Sequence, residues 1–236
     1  MIKHYLKVAF RNLMKYKTQS LVSIIGLAVG FTCFALSVLW IRYEMTYDTF
    51  HKGAERIYMV RAHYTDIPEH ISNSTPYPLA AYLQEKMPEI EAKATTSIHQ
   101  NVKIRMENDE YEVVMAAADS AFMNFFHIQL LKGTVNFLKE NNPEIAVTEE
   151  FAKKLFGSED DALGKEMEVN GRSRQIGAIV SGWSRHSNIP YSVLVAARHS
   201  PRWKSGPEQL FIRVRAGMDM DCLLYTSPSP RDRTRS

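Results

Sequence analysis

Apolar residues are spaced in three different ways along this chain, and each spacing predicts a different kind of element. Between Thr18 and Ile41 there is no period at all, because 24 consecutive residues carry no charge. The stretch Gln19–Ile41, QSLVSIIGLAVGFTCFALSVLWI, is apolar on every side. As a helix rising about 1.5 Å per residue, the uncharged run spans about 36 Å. That is enough to cross a hydrocarbon core of about 30 Å with some tilt. Soluble core helices are rarely this long without a charge, so a transmembrane helix is predicted at 19–41. Ahead of it, IKHYLKVAFRNLMKYK keeps a helical period. Ile2, Leu6, Ala9, Phe10 and Leu13 share one face, and Lys3, Lys7, Arg11 and Lys15 run along another. Residues 1–18 therefore read as a basic amphipathic helix lying at a membrane surface.

Past Arg42 the pattern becomes mixed and the predicted elements shorten. Alternation over Arg56–Tyr64 predicts a strand. Pro68–Pro78 reads as loop, Leu79–Met87 as a helix closed by Pro88, and Ala92–Ile98 as a strand. Val102–Met106 and Tyr111–Ala117 flank Asn108-Asp109 as a hairpin. Asp119 or Ser120 is expected to cap a short helix running through Phe126. Ile145–Thr148 reads as a strand, and Thr148 should cap a helix Glu149–Phe156 that Gly157 ends. Glu166–Val169 and Gln175–Val180 form a second hairpin around Asn170-Gly171. Strands at Ser192–Ala197 and Gln209–Arg215 complete an α+β domain.

Charge sets an expected orientation. Lys3, Lys7, Arg11, Lys15 and Lys17 precede the span with no acid among them, whereas Arg42, Glu44 and Asp48 follow it. Basic residues collect on the cytoplasmic side, so residues 1–18 are expected inside and the chain from about Arg42 outside. Trp40, Tyr43 and Tyr47 fit an outer interfacial belt as anchors. The apolar run exceeds a signal-peptide core and ends in Trp-Ile-Arg-Tyr rather than a small-x-small site, which favours an uncleaved anchor. Within it Gly26 and Gly30 make a GxxxG pair, with Ser23 and Ala35 as further small residues, a face for packing against another helix. Ordinary glycine content of a membrane helix is the alternative. Lys7, Arg11 and Lys15 can serve as contacts for anionic lipid or for a cytoplasmic partner.

Composition removes several function classes. A formal net charge of +3 over 236 residues indicates no broad basic face for nucleic acid. The two cysteines, Cys33 and Cys222, lie in different environments and are not expected to pair, so the outer domain must rely on its core. The tail Cys222–Ser236, CLLYTSPSPRDRTRS, changes composition abruptly. It back-translates to TGT CTC TTA TAC ACA TCT followed by CCG AGC CCA CGA GAC, which resembles a tagmentation sequencing adapter read straight through. We expect residues 222–236 to be a translated artefact and the native chain to continue past about Met220. Without the tail the formal net charge is +1.

A search for chemistry ends in exclusions. The sequence has no GxxxxGK[ST] loop, no HExxH and no GxSxG. His63, His70, His99, His127, His186 and His199 are scattered and read as surface or structural residues. Glu149-Glu150 and Asp160-Asp161 read as solvated faces. The Trp183–Tyr191 stretch could line a groove, although aromatics beside turns commonly pack. No catalytic, cofactor-binding or metal-binding residue is assigned, and no cofactor is expected.

The order of several short segments resembles FtsX-like/MacB-like ABC transporter permeases. They are the basic start, Gly26-Leu-Ala-Val-Gly30, Tyr43-Glu-Met-Thr-Tyr-Asp48-Thr-Phe-His51, Arg56-Ile-Tyr58 and Ala118-Asp-Ser-Ala-Phe122. Leu131-Lys-Gly133, Thr148–Gly157 and Leu163-Gly-Lys165 follow, so the likeness runs over Met1–Met220. The family often shows Pro-x-Asn-Ser-His after the strand matching Ile176–Val180, where this chain has Ser184-Arg-His-Ser-Asn188. The resemblance implies a two-lobed extracytoplasmic domain at 42–221. Its membrane-proximal lobe would be 56–98 with 207–221, and its distal lobe 99–206. It also implies a permease with four membrane helices, of which this chain holds the first. The implied partners are a separate cytoplasmic ATPase, a second permease copy, membrane lipid, and periplasmic or outer-membrane export components, with no nucleic acid. Its implied work is mechanotransmission or export across the inner membrane. A single-span anchored sensor or binding protein is the alternative from another class, and a membrane-anchored enzyme a third.

Overall fold

The computed structural model describes residues 2–63, 71–106, 109–183, 187–203 and 208–218, in two units, Met1–Tyr47 and Asp48–Ser236. The expectations for Tyr64, His70, the Asn108 turn, His186 and the 222–236 tail fall outside the described residues.

The first unit is two helices. Helix α1 (Ile2–Lys15) and helix α2 (Lys17–Met45) are separated by Tyr16, whose φ of −108° and ψ of 56° leave the helical region. Helix α2 begins earlier and ends later than the predicted 19–41. Hydropathy marks where a helix is apolar, whereas Lys17, Thr18 and Arg42–Met45 are ordinary helix residues that continue the ladder. It stops at Thr46, whose hydroxyl donates to the carbonyls of Arg42 and Tyr43. Inside α2, Thr32 and Ser37 donate to the carbonyls four residues back, so both hydroxyls are satisfied without water. No residue of α2 is buried within the protein, and the helix is long and apolar enough to cross a membrane.

The second unit is built on a sheet of nine strands among the described residues. Its elements are β1 (Ile57–Val60), β2 (Ala62–His63), β3 (Ile71–Ser72), α3 (Tyr77–Lys86), β4 (Ile90–Met106), β5 (Asp109–Ala118) and α4 (Phe122–Phe126). There follow β6 (Leu130–Gly133), β7 (Ile145–Thr148), α5 (Glu149–Phe156), α6 (Glu159–Ala162), β8 (Glu166–Val169), β9 (Arg172–Val180), β10 (Val193–Ala196) and β11 (Gln209–Val214). The main path runs β1-β11-β4-β5-β10-β7-β9-β6, and β8 bridges β9 back to β4. Pairing therefore closes a circuit, β4–β5–β10–β7–β9–β8–β4. Strands β10 and β5 pair in parallel, as do β7 and β9, and the other pairs of the sheet are antiparallel. Strands β2 and β3 form a separate ribbon.

Alternation along the strands sends side chains to opposite faces. On one face Ala94, Ala118, Phe122, Phe126, Phe137, Leu194 and Phe211 form a core that runs along the sheet. On the other face there are two cores. One joins α3 to β4 and β11 through Ala80, Ile90, Leu210 and Ile212. The other fills the closed circuit under α5 with Ile104, Ile145, Val147, Phe151, Ile176 and Val193.

Local signals were reliable at several ends. Thr148 accepts from the Phe151 amide and Gly157 closes α5 at φ +78°. Asn170 and Gly171 both take positive φ between β8 and β9, as a tight hairpin turn requires. Four expectations need correction. Strands predicted at 92–98 and 102–106 are one strand, β4, which absorbs a bulge between His99 and Val102 with Asn101 at φ +55°. The run 56–64 is broken at Arg61 into β1 and β2, and the predicted loop contains β3 and the start of α3. Helix α4 has Ala121 at its N-cap with no side-chain cap. Asp119 instead reaches back across the sheet, accepting from the Thr95 amide and hydroxyl, and it accepts from the Ala121 amide as well.

Candidate functional site

The segment that opens the second unit, Asp48–Arg56, is fastened to itself and to distant strands by a dense set of bonds. Asp48 sits at φ +55°, a left-handed conformation that aspartate tolerates better than most residues. A succession of turn bonds (His51 N–H to Asp48 O, Ala54 N–H to His51 O, Arg56 N–H to Gly53 O) winds the segment tightly. Gly53, at φ +74°, supplies the left-handed step before the 3-10 turn Ala54–Arg56.

Two anchors hold this loop to strands far away in sequence. The first is polar. The Asp48 carboxylate accepts from the Ser187 hydroxyl at 2.5 Å, from the Asn188 side-chain amide at 2.9 Å and from the Asn188 backbone at 3.2 Å. Ser187 in turn accepts from the Ile189 amide. The second is aromatic. His51, 7% exposed, lies among Phe50, Phe126 and Trp183, with ring centroids 4.2, 5.1 and 4.8 Å away. Trp183 also meets Phe122 and Tyr191, so the imidazole is built into the continuous core face.

Burial governs the chemistry of these groups. Desolvation pushes the His51 pKa below the usual histidine value, and His127 adds to this. Asp48 and a hydrogen bond to the Phe126 backbone pull the other way. His51 is therefore a neutral ring near pH 7. Its Nε2 is buried without a hydrogen-bond partner, 4.0 Å from Asp48 Oδ1. Burial likewise pushes the Tyr191 phenol far up, and its hydroxyl donates to the Ser181 carbonyl. This is the chemistry of an anchor, with no activated nucleophile.

Beside the loop is a cleft of about 410 Å³. Its apolar lining comes from Ala54, Ile57, Met59, Phe126, Ile189 and Phe211, and its polar lining from Asp48, His51, Arg61, Asn73, Asn188 and Gln209. A separate polar knot ties β11 to the start of α3. Thr75 donates from both its amide and its hydroxyl to the Glu208 carbonyl. The buried Glu208 carboxylate meets His199 Nδ1 at 3.1 Å, and His199 stacks on Tyr77 at 3.8 Å.

The residues singled out from sequence are dispersed. Lys7, Arg11 and Lys15 are exposed on α1. Gly26 and Gly30 lie one turn apart on α2, and a Cβ at either would meet nothing within 4 Å. Trp40, Tyr43 and Tyr47 form a string of ring contacts, 6.4 and 5.8 Å between centroids, at the carboxyl end of α2. Glu149 pairs with Lys153, and Asp160 with Lys132, as solvated ion pairs. His99 and His127 are exposed. No group of three or more His, Cys, Asp or Glu residues that could hold a metal occurs among the described residues. Sequence reasoning missed Asp48, His51 and Ser187–Asn188 as one constellation. Asp48 and His51 were visible only as part of a family-like segment, and nothing local pointed to partners about 140 residues away.

Comparison with known proteins bears directly on this geometry. A family model described as the MacB-like periplasmic core domain matches residues 20–223. Three solved structures share the fold. A domain described as that of a permease protein from Porphyromonas gingivalis is 23% identical with a TM-score of 0.63, covering 73% of this chain and 81% of its own. The periplasmic region of MacB from Actinobacillus actinomycetemcomitans is 11% identical with a TM-score of 0.53, covering 72% and 79%. The extracellular domain of the noncanonic ABC-type transporter YknZ from Gram-positive bacteria is 11% identical with a TM-score of 0.52, covering 71% and 86%. No curated protein sequence matches.

Proposed function

The chain belongs to the family of MacB-like periplasmic core domains, and from that membership we propose that it is the amino-terminal part of an ABC transporter permease. In this reading α2 crosses the inner membrane with α1 on the cytoplasmic side and the sheet body outside. A separate cytoplasmic ATPase drives a dimer of such permeases, and Lys7, Arg11 and Lys15 meet that ATPase or anionic lipid. Export components beyond the membrane are further partners. The native chain continues past about Met220 with three more spans. The outer body divides into a membrane-proximal lobe, about 56–98 with 207–221, and a distal lobe, about 99–206.

The observation that carries the mechanical part is the fastening of Asp48 and His51. A pull along the chain from α2 reaches the outer body first at Asp48. There it meets three neutral donors and a buried ring instead of a slack linker. A flexible tether would lose small displacements in its own conformational freedom. A fastened loop transmits them, as coupling between two states requires. Gly26 and Gly30 would face a neighbouring helix of the complete permease.

Two measurements test the reading. A topology reporter fused near residue 120 of the full-length permease should read as extracytoplasmic. ATP hydrolysis by the reconstituted ATPase–permease complex should lose its dependence on the outer domain in Asp48→Ala, while complex assembly persists. A cytosolic reporter, or a full-length gene with no further spans, rejects the proposal.

A further inference from the structure

The cleft beside Asp48 has chemistry that anchoring leaves unused. The Asp48 carboxylate receives only neutral donors, from Ser187 and Asn188. Its single ion-pair contact among the described residues is His51, a ring that burial keeps uncharged. The Asn188 backbone N–H is shared between both carboxylate oxygens at 3.2 Å, so the donors satisfy the oxygens' hydrogen bonding and leave the charge without a cation. The adjacent His51 Nε2 is buried without a hydrogen-bond partner, so it supplies no cation to this carboxylate. On the same cleft Arg61 is exposed and has no anion paired with it among the described residues. The cleft is also lined by the apolar Ile57, Met59, Phe126, Ile189 and Phe211. The volume of about 410 Å³ lies in the usual range for small-molecule sites.

An unneutralised acid, an unneutralised guanidinium and an apolar floor in one cavity describe the complement of an apolar zwitterion. We propose that this cleft is a binding site for small hydrophobic zwitterions of the free amino acid or dipeptide class, with the ligand ammonium on Asp48 and its carboxylate on Arg61. The ammonium supplies the missing cation. The guanidinium can take a carboxylate through two parallel N–H bonds. The apolar side chains of the ligand cover the floor. Occupancy needs no ATPase and no second chain, so it is separable from the coupling reading above.

The experiment uses the full chain in phosphatidylcholine nanodiscs, titrated by calorimetry with Leu-Phe dipeptide carrying free termini. The matched probe is N-acetyl-Leu-Phe-amide, which has the same apolar surface and no charges. Saturable binding of the free dipeptide is expected, with the capped form weaker by about tenfold or more, the scale of one lost charged hydrogen bond. Arg61→Gln, at an exposed position where folding is not at stake, should weaken the free dipeptide by about tenfold and leave the capped form unchanged. Asp48→Asn should do the same from the ammonium end. No saturable binding of the free dipeptide, equal binding of free and capped forms, or an Arg61→Gln variant that binds like the parent each overturns the proposal.

Discussion

Helix α2 and strand β7 are about equally apolar in character, yet the protein treats them in opposite ways. Every residue of β7 is buried, with Ile145, Ala146 and Val147 wholly inside. No residue of α2 is buried, and Leu27 and Trp40 stand 76% and 69% exposed. A strand hides its apolar groups by sharing them between two faces of a sheet. A helix apolar all round has no such option within a single unit, and its satisfied backbone suits it to lipid instead. The lesson is that apolar content alone does not say where a segment belongs. Its period, and whether its hydrogen bonds close locally, decide that.

The sharpest way to break this contrast is paired truncation. Phe122→Ala, at a fully buried site, should destabilise the sheet body by about 3–5 kcal/mol. Leu27→Ala on α2 should change it by less than about 0.5 kcal/mol. Amide exchange of Val147 and Ile179 reads both, and comparable losses would erase the distinction. Next in size is the polar anchor. Asp48→Ala removes three donors' common acceptor and should loosen the loop by about 2 kcal/mol, seen as faster exchange of the Asn188 and Ile189 amides with little change in β7.

A smaller effect comes with pH. Because the folded His51 pKa lies below the unfolded value, the unfolded chain binds more protons as pH falls. Stability is then fully present above about 6.5, and it declines below that by up to about 1.4 kcal/mol per pH unit until the folded ring titrates. His127 shifts in the same direction, from burial and from the nearby Arg213 and Lys52. Denaturation midpoints at pH 7.5 and 5.5 should converge in His51→Phe, more than in His127→Gln. Smallest of all, Gly26→Ala with Gly30→Ala should leave the sheet body unmoved. Any change would show in association of the complete permease, measured by crosslinking from α2.

What the sequence disclosed follows from range. Helix α2, the Thr148 cap, the Gly157 stop and the Asn170-Gly171 turn are fixed by neighbours within a few residues, and all were legible. Strand β4 was not, because Asn101 in a left-handed conformation reads locally as an ending, whereas pairing with β5 carries the strand across it. The parallel neighbours β10 with β5 and β7 with β9 join segments that no local pattern connects. The candidate site was hidden for the same reason. Asp48 resembles any acid after a membrane helix until Ser187 and Asn188 arrive beside it.

Strand β4 carries one last implication. At about 3.3 Å per residue, its 17 residues reach roughly 56 Å. It begins in the core under α3 and ends in the closed circuit of strands. A single girder thus joins the core under α3 to the closed circuit of strands within the sheet body, so a tilt at one end is carried toward the other. The kink at His99–Val102 lies near the middle of the strand and is where such leverage would be absorbed, so straightening or stiffening that kink would tune how far the far end moves.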